Sequence, residues 1–521
     1  MRTEEKTSVK NSVGRLILVA LTVLFQIAWI IVLSVKLNNY STVISLLTSI
    51  LALFIVLQIY LKRTNAAFKM PWMILILTFP PMGICMYLIM GRLEATPKKR
   101  KHFEKIDEKL EGMLQQNQMV MDKLQEKDKA VANQAYYILH SGKYPIYRNT
   151  EVVFYDDAAK GIAAQKEELE KAQKFIFMEY HAIEDAQSFQ SIRDILKKKA
   201  VQGVDVRIFY DDIGSIGFIN HDFIKRMEAD GIACRVFNPV APAFNIFMNN
   251  RDHRKITVVD GKVGFTGGYN LANEYFNITH PYGHWKDTGV KLTGDAVRSL
   301  TAMFLEMWNA IKETDEDFGK FLPEITNEQA EKSAVSGTCK GFVQPYADTP
   351  LDDELLGENV YMNIIKNAKD YVYFTTPYLI ISDEMIRELT TAAKRGIDVR
   401  IITPGIPDKK LVFEVTRSYY GQLVDAGVRI YEYTPGFIHA KQCVSDGEVA
   451  TVGTINLDYR SLHFHFENGV FLYDCDAVGE IRKDFDRTFP MCEEVMEKYR
   501  NKHTASFKIR RCVLRLLAPL L

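Results

Sequence analysis

His253-Arg254-Lys255-Ile256-Thr257-Val258-Val259-Asp260-Gly261 and His439-Ala440-Lys441-Gln442-Cys443-Val444-Ser445-Asp446-Gly447 are two copies of one pattern, H-x-K-x4-D. Each runs on through apolar residues to Gly267-Gly268-Tyr269-Asn270 or Gly453-Thr454-Ile455-Asn456. The asparagine therefore falls 17 residues after the histidine in both copies. One such motif is a weak signal, but two with the same trailing asparagine point to an internal duplication.

The duplication widens on inspection. Lys174-Phe-Ile-Phe-Met-Glu-Tyr180 parallels Tyr371-Val-Tyr-Phe-Thr-Thr-Pro377, and Gly203-Val-Asp-Val-Arg-Ile208 parallels Gly396-Ile-Asp-Val-Arg-Ile401. A third pair is Gly231-Ile-Ala-Cys-Arg-Val236 with Gly427-Val-Arg-Ile-Tyr431. Helical stretches opening at Ile192-Arg193 and Ile386-Arg387 separate the first two apolar runs of each half. Strand, helix, glycine, strand, helix, glycine, strand predicts helices packed on a mixed, largely parallel sheet with right-handed crossovers. The fold class is α/β: two duplicated α/β/α sandwich lobes, each with a central mixed sheet, preceded by N-terminal transmembrane helices.

In an extended segment, a histidine and the lysine two positions on share a face. Two such segments brought together put two imidazoles, two ammonium groups and two asparagines around one point. That set suits a phosphoryl group. Lys255, Lys441, Asn270 and Asn456 would hold the non-bridging oxygens. One of His253 and His439 would attack phosphorus, and the other would protonate the departing alkoxide. Trp285-Lys286-Asp287 and Phe466-Glu467 each supply a carboxylate able to fix an imidazole tautomer from its second nitrogen. Asp260 and Asp446 complete the motifs and belong to the candidate catalytic set, although their place five residues past the lysines also suits holding the turn at Gly261 or Gly447. His463 and His465 add imidazoles near Glu467 and could share a strand face as a metal pair, but with no third ligand close a solvated or rim position is expected. His280 and His284 read as polar loop residues.

The chain has 521 residues, too many for one core, and its charges balance, with 65 Lys+Arg and 65 Asp+Glu. That balance speaks against a protein held to nucleic acid by bulk charge. Seven cysteines, an odd count without CxxC spacing, speak against a disulfide framework or a structural zinc site. The apolar residues concentrate at the start. Residues 16–35 and 41–61 are each long enough to cross a bilayer. A third run, 70–90, contains Pro80-Pro81 and Gly83 and suits a kinked, re-entrant or interfacial element. Basic residues before 16, after 61 and after 91 put the large remainder on the cytoplasmic side. The last residues mix Lys508, Arg510, Arg511 and Arg515 with Val513, Leu514, Leu516 and Leu517. They suit a basic interfacial helix on anionic lipid, or equally a helix docked on the protein. The expected units are a membrane region at 1–91, a charged helical linker at 92–145, lobes at 146–330 and 335–500, and a basic amphipathic segment at 503–521.

With its doubled H-K-D motif, the chain resembles the phospholipase D superfamily, and more narrowly the bacterial cardiolipin synthases. Supporting matches are the paired N-terminal apolar segments, Tyr87-Leu-Ile-Met-Gly91-Arg92, Tyr210-Asp-Asp-Ile-Gly214-Ser215, Trp285-Lys-Asp287 and Gly436-Phe-Ile-His-Ala-Lys441. The resemblance implies transfer of a phosphatidyl group between two phosphatidylglycerol molecules with release of glycerol, through a phosphohistidine on His253 with His439 as acid. It implies no cofactor and no metal. Expected partners are phosphatidylglycerol and anionic membrane lipids, with no nucleic acid. The alternative is a phospholipase D hydrolase, or a phosphatidyltransferase using another head-group acceptor. A nuclease is disfavoured by the balanced charge and the apolar N-terminus. Thr454 stands where a small serine is usual in the second motif.

Overall fold

The computed structural model describes residues 42–518 except 63, 92–96, 221, 240–248, 324–339 and 501–504, together with scattered positions between 21 and 36. The first expected span, 16–35, lies largely outside the described residues, as do Cys339 and both ends of the 503–521 segment.

In the first half the strands are β1 (Thr150–Tyr155), β2 (Phe175–Tyr180), β3 (Asp205–Asp211), β4 (Ala233–Phe237), β5 (Arg251–Asp252), β6 (Lys255–Val259), β7 (Val263–Gly267), β8 (His284–Lys286) and β9 (Gly289–Gly294). The second half has β10 (Phe342–Asp348), β11 (Tyr371–Thr375), β12 (Leu379–Ile380), β13 (Asp398–Pro404), β14 (Arg429–Tyr433), β15 (Gly436–Ile438), β16 (Gln442–Ser445), β17 (Val449–Gly453), β18 (Leu457–Asp458), β19 (His465–Tyr473) and β20 (Cys492–Glu494). One sheet runs β1-β9-β7-β6-β2-β3-β4, and the other β10-β19-β17-β16-β11-β13-β14-β20. Two α/β lobes with mixed sheets result.

The expectation of a largely parallel sheet is corrected. Along these two orders only β2-β3-β4 and β11-β13-β14 are parallel, and the other neighbours are antiparallel. The reason lies in the motif itself. Asp260-Gly261 and Asp446-Gly447 have positive φ in both members, at 53° and 66° and at 54° and 71°. Two left-handed residues make a tight hairpin, and a tight hairpin joins only antiparallel strands.

Apolar side chains fill three layers. Helices Ala158–Lys171 and Gln187–Val201 cover the outside of the first sheet through Ile162, Leu169, Phe189 and Leu196. Helices Leu356–Asn367, Asp383–Lys394 and Lys410–Asp425 cover the second through Val360, Leu389 and Tyr420. Between the sheets, Phe177 and Phe209 of one half share a core with Ile402, Val444 and Val470 of the other, around Leu300, Phe304 and Trp308 of helix Val297–Ile311. The two lobes therefore have no separate inner faces. The charged segment after residue 97 is built into this core as well. Phe103, Ile106 and Leu110 of helix Pro97–Glu111 are buried between the sheets, and Leu124 and Ile138 of the next two helices pack on the second lobe.

The apolar N-terminal region forms a small cluster of its own. Helix Thr42–Leu61 packs Ile55, Val56 and Ile59 against Trp72 and Ile76 of helix Ala66–Thr78 and against Ile84 and Tyr87 of helix Pro80–Met90. The third apolar run is thus two helices that turn at Phe79. Pro80 opens the second of them, where its missing N–H costs nothing. Gly83 lets the pair close up, since a Cβ there would lie 2.6 Å from Ile76 Cα. Leu46, Leu47, Ile50, Leu53, Phe54 and Leu57 of the first helix are exposed. Among the described residues no helix is long and apolar enough to cross a membrane.

Candidate active site

The two-residue strand β5 leaves its own lobe and pairs with β19 of the other, with Arg251 opposite His465 and Asp252 opposite Phe466. Likewise β15 pairs with β8, with Phe437 opposite Trp285 and Ile438 opposite Lys286. Each histidine follows directly. The His253 N–H donates to Phe466 O at 2.9 Å, and the His439 N–H donates to Lys286 O at 2.7 Å. Both acceptors precede the candidate carboxylates by one residue, so backbone pairing places each ring beside the carboxylate of the opposite half. His253 Nδ1 lies 2.9 Å and 3.0 Å from the two oxygens of Glu467. His439 Nδ1 lies 2.6 Å from Asp287 Oδ2. With its Nδ1 facing a carboxylate, His253 favours the tautomer carrying the proton on Nδ1, and its Nε2 becomes the reactive nitrogen, while at His439 the Lys441 ammonium also stands 2.6 Å from Nδ1.

Both carboxylates are fully buried and are themselves held. Glu467 accepts from Ser461 Oγ at 2.5 Å and from the hydroxyl of Thr454. Asp287 accepts the Thr288 N–H at 2.9 Å. It also needs Gly268, where a Cβ would stand 2.0 Å from Asp287 Oδ1. Gly268 and Thr454 occupy matching places in the two repeats. The shorter carboxylate meets the bare glycine, and the longer one meets a hydroxyl.

His253, His439, Asn270 and Asn456 line one cavity of about 330 Å³. Lys255 and Lys441 are almost wholly buried beside it, and each ammonium donates to the carbonyl oxygen of its own motif's histidine. Asn270 donates to Tyr275 Oη at 2.8 Å and accepts from the Ala182 N–H. Asn456 Oδ1 has no hydrogen-bond partner among the described residues. Burial, followed by the flanking lysines, holds His253 well below the ordinary imidazole range. The same causes bring His439 to about 4, against the opposing pull of Asp287. Burial also brings Lys441 down to about 7 and Lys255 to about 8. Asp287 stays below the usual carboxylate range despite its burial, because His439 and Lys441 stand beside it. A pair of neutral rings and two easily recharged ammonium groups is a cavity prepared for an anion.

Asp260 and Asp446 are not brought to the cavity. The Asp260 carboxylate accepts the N–H groups of Gln173, Lys174 and Phe175 at 2.7–2.9 Å, and Asp446 accepts those of Lys369, Asp370 and Tyr371 at 2.9 Å. Each ties its hairpin to the start of the neighbouring strand. The expected rim position for His465 is also corrected. His463 ends helix Tyr459–His463, and His465 opens β19, so the two do not share a strand face. His465 lines the cavity, with its ring centroid 5.5 Å from that of His253. His253, His465 and Glu467 offer three ligand atoms within 4.8 Å of one another, so a third ligand is close in space. His181 lies on another side of His253, at 5.0 Å between centroids, with Nδ1 2.7 Å from Asp252 O. Sequence reasoning passed over it, although its place immediately after β2 marks it as a residue at the end of a sheet strand.

The C-terminal helix Ala505–Leu517 reaches the same cavity. Arg510 bonds Glu414, Arg511 donates to Ser418 O, and Arg515 bonds Gln422 and lies 4.4 Å over the Tyr419 ring. Ala518, directly after it, is buried and forms part of the cavity wall. Of the two readings open for this segment, docking on the protein accounts for these three arginines.

Residues 166–308 and 361–489 match the family described as "Cardiolipin synthase, PLD-like domain", and residues 48–92 match "Phospholipase_D-nuclease N-terminal". Among similar proteins, an uncharacterized protein of Streptococcus mutans is 42% identical over 86% of this chain and 96% of its own length. The cardiolipin synthase of Halalkalibacterium halodurans is 33% identical over 92% of this chain and 93% of its own. That of Geobacillus thermodenitrificans is 34% identical over 92% and 94%. Among solved structures, the phosphatidylserine synthase of Haemophilus influenzae shares the fold, with a TM-score of 0.53 at 14% identity, over 71% of this chain and 95% of that protein.

Proposed function

This chain belongs to the cardiolipin synthase, PLD-like domain family and is a phosphatidyltransferase of the phospholipase D superfamily, and on that premise we propose that it condenses two phosphatidylglycerol molecules to cardiolipin and glycerol. The observation that carries the reading is the single cavity lined by two imidazoles, each held at Nδ1 by a carboxylate from the other half. His253 Nε2 attacks the phosphorus of the first lipid. The bond from phosphorus to the glycerol oxygen breaks, and His439 gives that oxygen its proton. The phosphatidyl group then sits on His253. A hydroxyl of the second phosphatidylglycerol loses its proton to His439 and attacks phosphorus, and His253 leaves. Lys255, Lys441, Asn270 and Asn456 hold the non-bridging oxygens throughout. His439 near 4 is a weak proton carrier in the free enzyme. The negative charge of a bound phosphodiester raises it and recharges both lysines, so the acid is armed only when substrate is present.

The second acceptor is a lipid, and on this reading the enzyme works at a membrane. Residues 16–35 and 41–61 would be its spans, and the turned pair Ala66–Met90 a re-entrant or interfacial element. The exposed leucines of helix Thr42–Leu61 support this, as does the N-terminal family match. The basic flanks put the lobes on the cytoplasmic side. The test is product identification with purified enzyme in vesicles holding labelled phosphatidylglycerol. Cardiolipin and free glycerol in equal amounts are expected. Phosphatidic acid as the sole lipid product would leave the hydrolase reading instead.

A further inference from the structure

One difference between the two halves of the site changes what each dyad can ligate. Two residues before Asp287 stands Trp285, whose ring lies 5.1 Å from that of His439. Two residues before Glu467, in the matching place, stands His465, 5.5 Å from His253. One dyad is capped by an indole, which has no lone pair to offer. The other is capped by an imidazole. Among the described residues His465 Nδ1 is buried without a hydrogen-bond partner, and it faces Glu467 Oε1 at 3.7 Å, beyond hydrogen-bond reach.

We propose that His253, His465 and Glu467 form a binding site for a divalent transition cation of the Zn²⁺ class, and that its occupation switches the enzyme off. Ligand atoms held about 2.0–2.1 Å from a tetrahedral Zn²⁺ lie roughly 3.3 Å apart. Glu467 Oε1 stands 2.9 Å from His253 Nδ1 and 3.7 Å from His465 Nδ1, which brackets that spacing. All three ligand atoms lie within 4.8 Å of one another. Glu467 is kept in place by Ser461 and Thr454, and the adjoining cavity leaves room for a water as fourth ligand. Two imidazole nitrogens and one carboxylate select Zn²⁺, Co²⁺, Ni²⁺ or Cu²⁺ over Mg²⁺ or Ca²⁺. The charged neighbours Lys255, Lys441 and Arg460 oppose a cation, so a neutral pair of rings plus one carboxylate sets a moderate affinity. Among the described residues the His439 dyad has no such third donor, and Trp285, Tyr275 and Phe437 stand around its ring.

The consequence for turnover follows from proton bookkeeping. Coordination uses the lone pair of His253 Nδ1. The proton that Nδ1 shared with Glu467 moves through water to Nε2, and no net proton is lost. Nε2 then carries a hydrogen and cannot attack phosphorus. The loss of activity rests on the proposed role of His253, whereas the metal binding does not.

The test uses the full chain in detergent micelles, stripped with a chelator and titrated with ZnCl₂ by calorimetry and with CoCl₂ by visible absorption. One equivalent per chain and a tetrahedral Co²⁺ band are expected, with no heat from MgCl₂. His465→Phe and His465→Asn should each weaken Zn²⁺ by more than about tenfold. Zn²⁺ should stop formation of the phosphorylated enzyme, and chelator should restore it. Absence of the Co²⁺ band in the unaltered chain overturns the site, however the variants fold. Equal Zn²⁺ affinity in a His465 variant that melts like the parent overturns it too. Binding without inhibition overturns the switch. A chain that makes no cardiolipin but still binds the metal would count against the function and leave the site standing.

Discussion

At the scale of residues, the crossing of the carboxylates sorts the variants. Glu467 serves the imidazole of the first motif, and Asp287 serves that of the second. Glu467→Gln is therefore expected to behave like His253→Ala, with no phosphorylated enzyme trapped from labelled lipid. Asp287→Asn is expected to behave like His439→Ala and to slow turnover by about 10²–10⁴-fold. The reverse grouping would assign the nucleophile to His439. A pH profile tests the lysines. Their ammonium forms dominate below about 7 for Lys441 and about 8 for Lys255, and are lost as pH rises through those values. The KM for phosphatidylglycerol should be level at low pH, begin to climb near pH 7 as Lys441 discharges and climb more steeply above about pH 8. A KM that stays flat to about pH 10 would mean the lysines do not hold the phosphate. Histidines, lysines, asparagines and both carboxylates were legible in the sequence because a repeated motif marks them twice. Their crossing was not, since it depends on β5 and β15 leaving their own sheets. Nor was the approach of His465 to His253, because the two are distant in the chain.

At the scale of elements, the C-terminal helix carries the clearest expectation. Its arginines are spent on helix Lys410–Asp425, and Gly421 of that helix leaves the notch the Arg511 guanidinium fills, with Nη1 2.7 Å from where a Cβ would be. Its exposed residues include the apolar Ile509 and Val513. Removing residues 505–521 uncovers the cavity wall at Ala518 without touching either sheet. The truncated chain should melt within a few degrees of the parent, since the loss of a peripheral contact of about 1 kcal/mol moves a large protein little. Its yield of cardiolipin should fall severalfold while the yield of phosphatidic acid rises, as water gains entry. Unchanged product ratios would free the helix from any part in the site. Strand and helix order was legible from alternation and the glycines that end each helix. The antiparallel share of the sheets is larger than the strand-helix alternation implies, because the turns at Asp260-Gly261 and Asp446-Gly447 reverse the chain between neighbouring strands.

At the scale of the whole molecule, the lobes share an inner core, and each completes the other's dyad. Full-length His253→Ala mixed with full-length His439→Ala should show no regained activity, because both dyads close within one chain. Recovery on mixing would indicate exchange of halves between chains. The duplication itself was plain from sequence, whereas the common core was not, since alternating strands look the same whether a face meets helices or another sheet. The crossed arrangement also says something about origins. A single half paired with its own twin about a two-fold axis would have the same exchange of carboxylates for free, since what one subunit lends the other returns. Fusing two genes end to end would then change no bond in the centre. What it would lift is the obligation of the twins to stay identical, and the tryptophan on one side facing a histidine on the other is where that liberty has been used.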